Sequence, residues 1–338
     1  MRLLWFYSTA TYASFSTGKL KERNVDVILK VNVVRHAFDN PFLMNCLLGL
    51  TAMHINHLEL RDLGVSTARE ISYRVKALEG YRKAVEAAEP ATYPALIACS
   101  LLLCGLSTHI FRGDEARPLA ILDWMVIYRG MSAIIKVTKL PLLSRSGMAA
   151  LLFRPRVDLV ASARAVPGYL LFMVASMKEG DPEFPLAETY YTVLKYLGSL
   201  YLDLSHGYSV MFLLRIVTFL TFLPDKFIEA ARERRPRALV ILAHYLVFAM
   251  FRTKNCWWLD GISQHEIPSI CHFLGPDWEH LLRVPMTSLL LPTGRHVARL
   301  LLDDPSWDPR GNMMEGRYPP FREQEAALVA AMEAQELD

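Results

Sequence analysis

The stretch Arg237 to Asp260, RALVILAHYLVFAMFRTKNCWWLD, constrains the fold more than any other. From Ala238 to Phe251 it is apolar on every face except at His244 and Tyr245, whereas a helix at the surface alternates with charge. A helix of this kind belongs in the middle of a domain, with the remaining elements packed around it. Pro236 suits its first turn, where a missing N–H costs nothing. The block ends in the aromatic pair Trp257 and Trp258, ahead of Asp260 and Gly261.

The chain can supply those surroundings. It has 338 residues, 52% of them apolar, which is enough for a large core. Helix-type signals recur along it. Asn40 before Pro41 predicts an N-cap and first turn for a helix from Pro41 to Leu60. On that helix Leu43, Leu47, Leu50 and His54 form a bulky stripe, and Asn45, Gly49, Ala52 and Asn56 a small one that admits a partner helix or a ligand. Thr67 and Glu70 stand in capping-box spacing before a helix to about Ala88. Along it Ile71, Val75, Leu78, Tyr81 and Val85 recur at heptad-like spacing, with Arg74, Lys76, Arg82, Lys83 and Glu86 expected in solvent.

Further helices are expected over Pro118 to Lys139, Phe184 to Leu204 and Val210 to Leu223, with a short one at Met148 to Phe153 inside an irregular connection from Leu140 to Gly168. Gly275 and Pro276 punctuate two short helices, and Asp303 to Pro320 reads as a connection. Arg322 to Asp338 reads as an acidic, alanine-rich helix with Leu328 and Met332 as its apolar stripe. No stretch alternates as a strand does, so the expected fold class is all-α: a single large multi-helix orthogonal bundle around a buried central helix.

Pro90 to Phe111 lacks charge and has the length to cross a bilayer, for which about 20 apolar residues suffice. It also carries Tyr93, Pro94, Ser100, Ser107, Thr108 and His109, and is read as a core helix, so no membrane span is expected. Ser and Thr interrupt the apolar N-terminus before KLKER, so no signal peptide is expected either. The net charge of +3, from 37 basic and 34 acidic residues, shows no clustered basic excess of the kind that binds nucleic acid. The run Arg232, Arg234, Arg235 and Arg237 is read as a solvated turn.

Candidate chemistry is sparse. The five cysteines, Cys46, Cys99, Cys104, Cys256 and Cys271, have no zinc or redox spacing and read as reduced thiols of the nucleus or cytoplasm. There is no phosphate loop, nucleophile elbow or zinc-protease helix. Asp303, Asp304 and Asp308 miss the spacing of an aspartate-rich magnesium motif, and Pro305 and Pro309 place them in a loop. His54 and His57 lie one turn apart without a third ligand, so neither a metal nor any cofactor is assigned. The candidate ligand-binding residues are His54, His244, Tyr245, Trp257 and Trp258, and no catalytic residue is assigned. For His244 and Tyr245 a hydrogen bond inside the core stands beside contact with a ligand's hydroxyl.

The blocks NPFLMNCLLGLTAMHINHL (Asn40 to Leu58), ISYRVKALEGYRKAV (Ile71 to Val85), LDWMVIYRGMSAII (Leu122 to Ile135) and PRALVILAHYLVFAMF with the later WWLDG (Pro236 to Gly261) occur together in this order. In this the chain resembles the C-terminal regulatory domain of fungal-specific zinc-cluster transcription factors of the sterol uptake control type. The resemblance implies an all-helical domain, in some members binding a sterol in a hydrophobic pocket, and assigns residues 1–285 to it and 286–338 to a C-terminal extension. It departs from the family in two ways. No cysteine precedes Cys46, so direct DNA contact by this chain is not expected, and Ile262 stands where the family tends to carry a further tryptophan. The implied function is that of the effector domain of a transcription regulator sensing a hydrophobic small molecule, sterol-like or a secondary metabolite, and controlling the matching genes, with a homodimer as one arrangement. The alternative is a stand-alone copy serving as cyclase, isomerase or carrier in secondary metabolism.

Overall fold

The computed structural model describes residues 1–16, 25–60, 65–112, 116–137, 148, 151, 156–251 and 256–309. Among them every regular element is helical. In chain order the helices are α1 (Arg2–Thr9), α2 (Val33–Asp39, entered through a π-helical turn Ile28–Asn32), α3 (Pro41–His57), α4 (Thr67–Ala87), α5 (Tyr93–Leu106), α6 (Ile121–Val137), α7 (Leu159–Arg164) and α8 (Gly168–Ala175). They continue as α9 (Ala187–Ser205), α10 (Val210–Thr218), α11 (Asp225–Arg232), α12 (Pro236–Ala249), α13 (Ile262–Leu274), α14 (Glu279–Ser288) and α15 (Gly294–Leu302). The expected helix at Arg322 to Asp338, and most of Met148 to Phe153, lie outside the described residues.

Helix α12 is the centre. Every residue from Ala238 to Ala249 is buried, because α8, α9, α10, α11, α13 and α14 pack around it on all sides. Its apolarity on every face is the sequence imprint of that position. Pro236 occupies its first turn as expected. The segment from Pro90 to Phe111, which passes the length and hydropathy test for a membrane span, is mostly buried inside the fold, with α5 between α3, α4 and α6.

Three local expectations change. Asn40 precedes α3 in extended geometry but makes no side-chain cap, because its amide instead donates to the His36 carbonyl at 2.8 Å. Ser66, not Thr67, is the residue preceding α4, and Glu70 accepts from Asn56 across the helix pair at 2.8 Å. The third concerns the face that α4 buries. Arg74 and Ala77 are its buried residues, while Ile71, Val75, Leu78 and Val85 are exposed. Close approach explains the inversion: a Cβ at Gly49 would meet the Tyr73 Cβ at 3.3 Å, and one at Gly80 would meet the Phe42 Cβ at 2.8 Å. The small stripe of α3 therefore receives α4, with glycine required at the two points of closest approach, 49 and 80.

The core also continues past residue 285. Helix α14 runs through that position, and Val297, Ala298, Leu301 and Trp307 are buried in the same cluster. Inside, charges are paired: the Arg215 Nε donates to the Asp203 carboxylate at 2.6 Å with both side chains almost fully buried, and Glu266, wholly buried, accepts from the Ala120 and Ile121 N–H groups that begin α6.

Candidate functional site

The five candidate residues fall into two places. His54, Trp257 and Trp258 come together, and His244 and Tyr245 lie apart from them within α12.

His54 is in the last turn of α3, on the stripe facing α1, and Trp257–Leu259 form a 3-10 turn that packs on α3 and α5. The His54 ring stacks on Trp257 with ring centres 4.6 Å apart and planes 1° from parallel. His57 leans on the same indole at 5.3 Å, and Phe6 of α1 meets His54 edge-on at 5.6 Å. The Thr11 hydroxyl and the His54 Nδ1 share a hydrogen bond of 3.0 Å. Burial, with a smaller contribution from the nearby His57, pushes the His54 pKa down to about 4. His54 is thus a neutral ring near pH 7, suited to stacking and hydrogen bonding.

Trp258 faces the other way. Its indole N–H donates to the Ser14 carbonyl at 3.0 Å, and its ring stacks on Phe15 at 5.6 Å. Phe15 reaches this position because residue 105 is glycine, where a Cβ would come within 2.6 Å of the Phe15 Cζ. Arg112 holds the turn from behind, donating to the carbonyls of Trp257 and Trp258 at 3.0 Å each and lying over the Trp257 ring at 5.5 Å.

Against these satisfied neighbours one polar atom stands out. The Trp257 Nε1–H is buried and meets no acceptor in the protein. A buried unsatisfied donor costs about 1–3 kcal/mol. His36 Nε2, Ser162 Oγ and Trp307 Nε1 share that condition, but Trp257 alone of the four is bracketed by two histidine rings. Chemically, the arrangement offers one uncommitted hydrogen-bond donor, the indole N–H, among stacked aromatic rings.

His244 and Tyr245 are engaged by the protein. The His244 Nε2 bonds the Leu281 carbonyl at 2.9 Å, and its Nδ1 faces the Tyr201 hydroxyl at 3.5 Å. Burial, partly offset by the Leu281 bond, lowers the His244 pKa to about 4. The Tyr245 hydroxyl donates to the Ile216 carbonyl at 3.2 Å, and its ring stacks on Phe219 at 4.4 Å. Thr11 and Arg112 were not singled out by the sequence; the uncharged run before Arg112 and its lone charge at the run's end are the only signals it offered. Among the described residues no cluster of three or more His, Cys, Asp or Glu could hold a metal ion, and all five cysteines are free thiols.

Residues 28–156 match the fungal specific transcription factor domain, a span that includes α3 with His54 and stops before the Trp257 turn. The chain is 24% identical over 295 residues to Sterol uptake control protein 2 of Saccharomyces cerevisiae, covering 83% of this chain and 31% of that protein. It is 20% identical over 310 residues to a Zn(2)-C6 fungal-type transcription factor of Gibberella zeae, covering 83% of this chain and 60% of that protein. The chain therefore spans less than two thirds of the length of either relative. These findings bear out the resemblance read from the sequence blocks and support a role in transcription regulation.

Proposed function

We propose that this chain is the effector domain of a fungal transcription regulator and that it senses a hydrophobic small molecule carrying one hydrogen-bond acceptor, a hydroxylated sterol or a polycyclic secondary metabolite. It acts in the nucleus, and DNA contact comes from a zinc cluster outside this sequence, in the same polypeptide or in a partner. The observation that supports the ligand reading is the buried, unpartnered Trp257 indole N–H beside the stacked His54 ring. A ligand oxygen at that atom recovers the cost of the orphaned donor, while the apolar body contributes about 25 cal/mol per Å² of surface removed from water.

The site joins elements that are far apart in sequence: α1 and the turn after it, the end of α3, and the 257–259 turn. A ligand wedged at their junction favours one packing of these elements over another, which is what a sensor requires. His244 and Tyr245, on this reading, hold the central helix in register and do not touch the ligand.

Binding of a hydroxylated sterol to the full chain, followed by tryptophan emission, tests the proposal. Trp257→Phe removes the donor together with one of the two fused rings of the indole that His54 and His57 lie against. Affinity should fall about fivefold or more, from the loss of one hydrogen bond near 1 kcal/mol together with lost stacking, and thermal stability should fall as well because the smaller ring leaves a gap at a buried position. Equal affinity for the variant and the natural chain would place the ligand elsewhere.

A further inference from the structure

The His54–Trp257 stack is closed to solvent. His54 is 8% exposed and Trp257 5%, and the indole N–H is buried, so a molecule reaches that atom only when a neighbouring element moves. Helices α3 and α5 are buried along most of their length, and Arg112 pins the 257–259 turn through two carbonyls. The cover with the least hold of its own is the 3-10 turn Thr11–Phe15, joined to α1 at Ala10. It buries Thr11 and Ser14, which are polar, and Tyr12 and Phe15 only in part. A segment with so little buried apolar surface opens more readily than the helices under it.

The turn grips the site from above. The Thr11 hydroxyl meets the His54 Nδ1 at 3.0 Å. The Ser14 carbonyl accepts from the Trp258 indole at 3.0 Å and from the Cys256 thiol at 3.6 Å. Phe15 stacks on Trp258, with the far end of its ring in the notch left at Gly105. These contacts bracket Trp257 at residues 256 and 258. Away from the site, the Lys30 ammonium lies over the Tyr12 ring at 4.3 Å, a contact of modest strength. Helix α1 has a separate anchor in Tyr7, which is fully buried and donates to the Leu29 carbonyl at 3.3 Å.

We infer that the Thr11–Phe15 turn is a strap over this site, opening about Ala10 to admit the ligand and closing behind it while Tyr7 keeps α1 in place. The inference rests on the sensor reading above and adds the route of entry. With opening and closing fast against capture, ligand uptake and attack on the Cys256 thiol both scale with the open fraction.

The test compares the full natural chain with Phe15→Ala and Gly105→Ala. The first empties the notch; the second drives Phe15 out of it, since an added Cβ would lie 2.6 Å from the ring's far end. Iodoacetamide labelling, mapped by peptide mass, reads Cys256 against the half-buried Cys271, with the buried Cys46, Cys99 and Cys104 reporting any loss of fold. Stopped-flow energy transfer from tryptophan to dehydroergosterol reads uptake. In both variants the Cys256 rate and the sterol association rate should rise by the same factor, about fivefold or more, with Cys46, Cys99 and Cys104 still protected. An unchanged Cys256 rate, or faster labelling without faster uptake, would overturn the strap. So would all five cysteines reacting together in both variants, which would make the turn part of the core. A Cys256 rate that rises while dehydroergosterol binds none of the three proteins would instead refute the sterol reading of the site, and the gating role with it, leaving a mobile turn alone.

Discussion

Acid should destabilise this protein through the burial of His244. The ring is fully buried on α12 between Leu281 and Tyr201, and its pKa is lowered from the usual 6.5 to about 4 mainly by burial. The folded state therefore resists the proton that the unfolded state accepts. Between those two values the unfolded chain binds more protons, so stability is fully present above pH 6.5 and is lost as pH falls towards 4. The whole difference is about 3 kcal/mol, of which roughly 2 kcal/mol is expressed between pH 7 and pH 5. His244→Gln keeps a donor for the Leu281 carbonyl and removes the titration. Urea unfolding of both proteins at pH 7 and pH 5 isolates the histidine, since every other group is common to the two. The natural chain should lose roughly 2 kcal/mol more than the variant; parallel losses would show that His244 is reached by solvent or finds a partner for its charged form.

Other expectations follow from single contacts. Glu266→Ala leaves the Ala120 and Ile121 N–H groups buried without an acceptor and should cost about 2 kcal/mol or more in chemical denaturation. Gly198→Ala puts a Cβ against the Ser162 carbonyl and 2.7 Å from the Val166 Cγ2, so α7 must move off α9 at a cost of about 1–3 kcal/mol, read as a lowered melting temperature. Arg112→Ala removes the grip on the Trp257 and Trp258 carbonyls, costing about 1.5–3 kcal/mol and shifting the tryptophan emission to the red.

The central helix was legible because apolarity on all faces reports burial whatever the periodicity. The same rule misled on α4. Large apolar residues at heptad spacing normally mark the core face, yet α4 turns Arg74, Ala77 and Gly80 inward, with Gly80 at the closest approach to Phe42 of α3. Asn40 and Thr67 carry capping chemistry in sequence and spend it otherwise or not at all, since the His36 carbonyl competes for the Asn40 amide. Of the candidate site, the residue types were readable and their grouping was not. His54 and Trp257 meet only through the packing of the 257–259 turn on α3, and nothing local separates His54 from the equally apolar surroundings of His244. The unpartnered indole N–H is a property of the assembled turn, and no sequence pattern carries it.

The most direct measurement is native mass spectrometry of the full chain purified from a fungal host, with extraction and identification of whatever accompanies it. The account predicts an apolar, oxygen-bearing molecule at close to one per chain, with occupancy reduced in Trp257→Phe. An empty protein that gains no mass from added hydroxylated sterols or polycyclic metabolites, or one that chemically converts them, would contradict it.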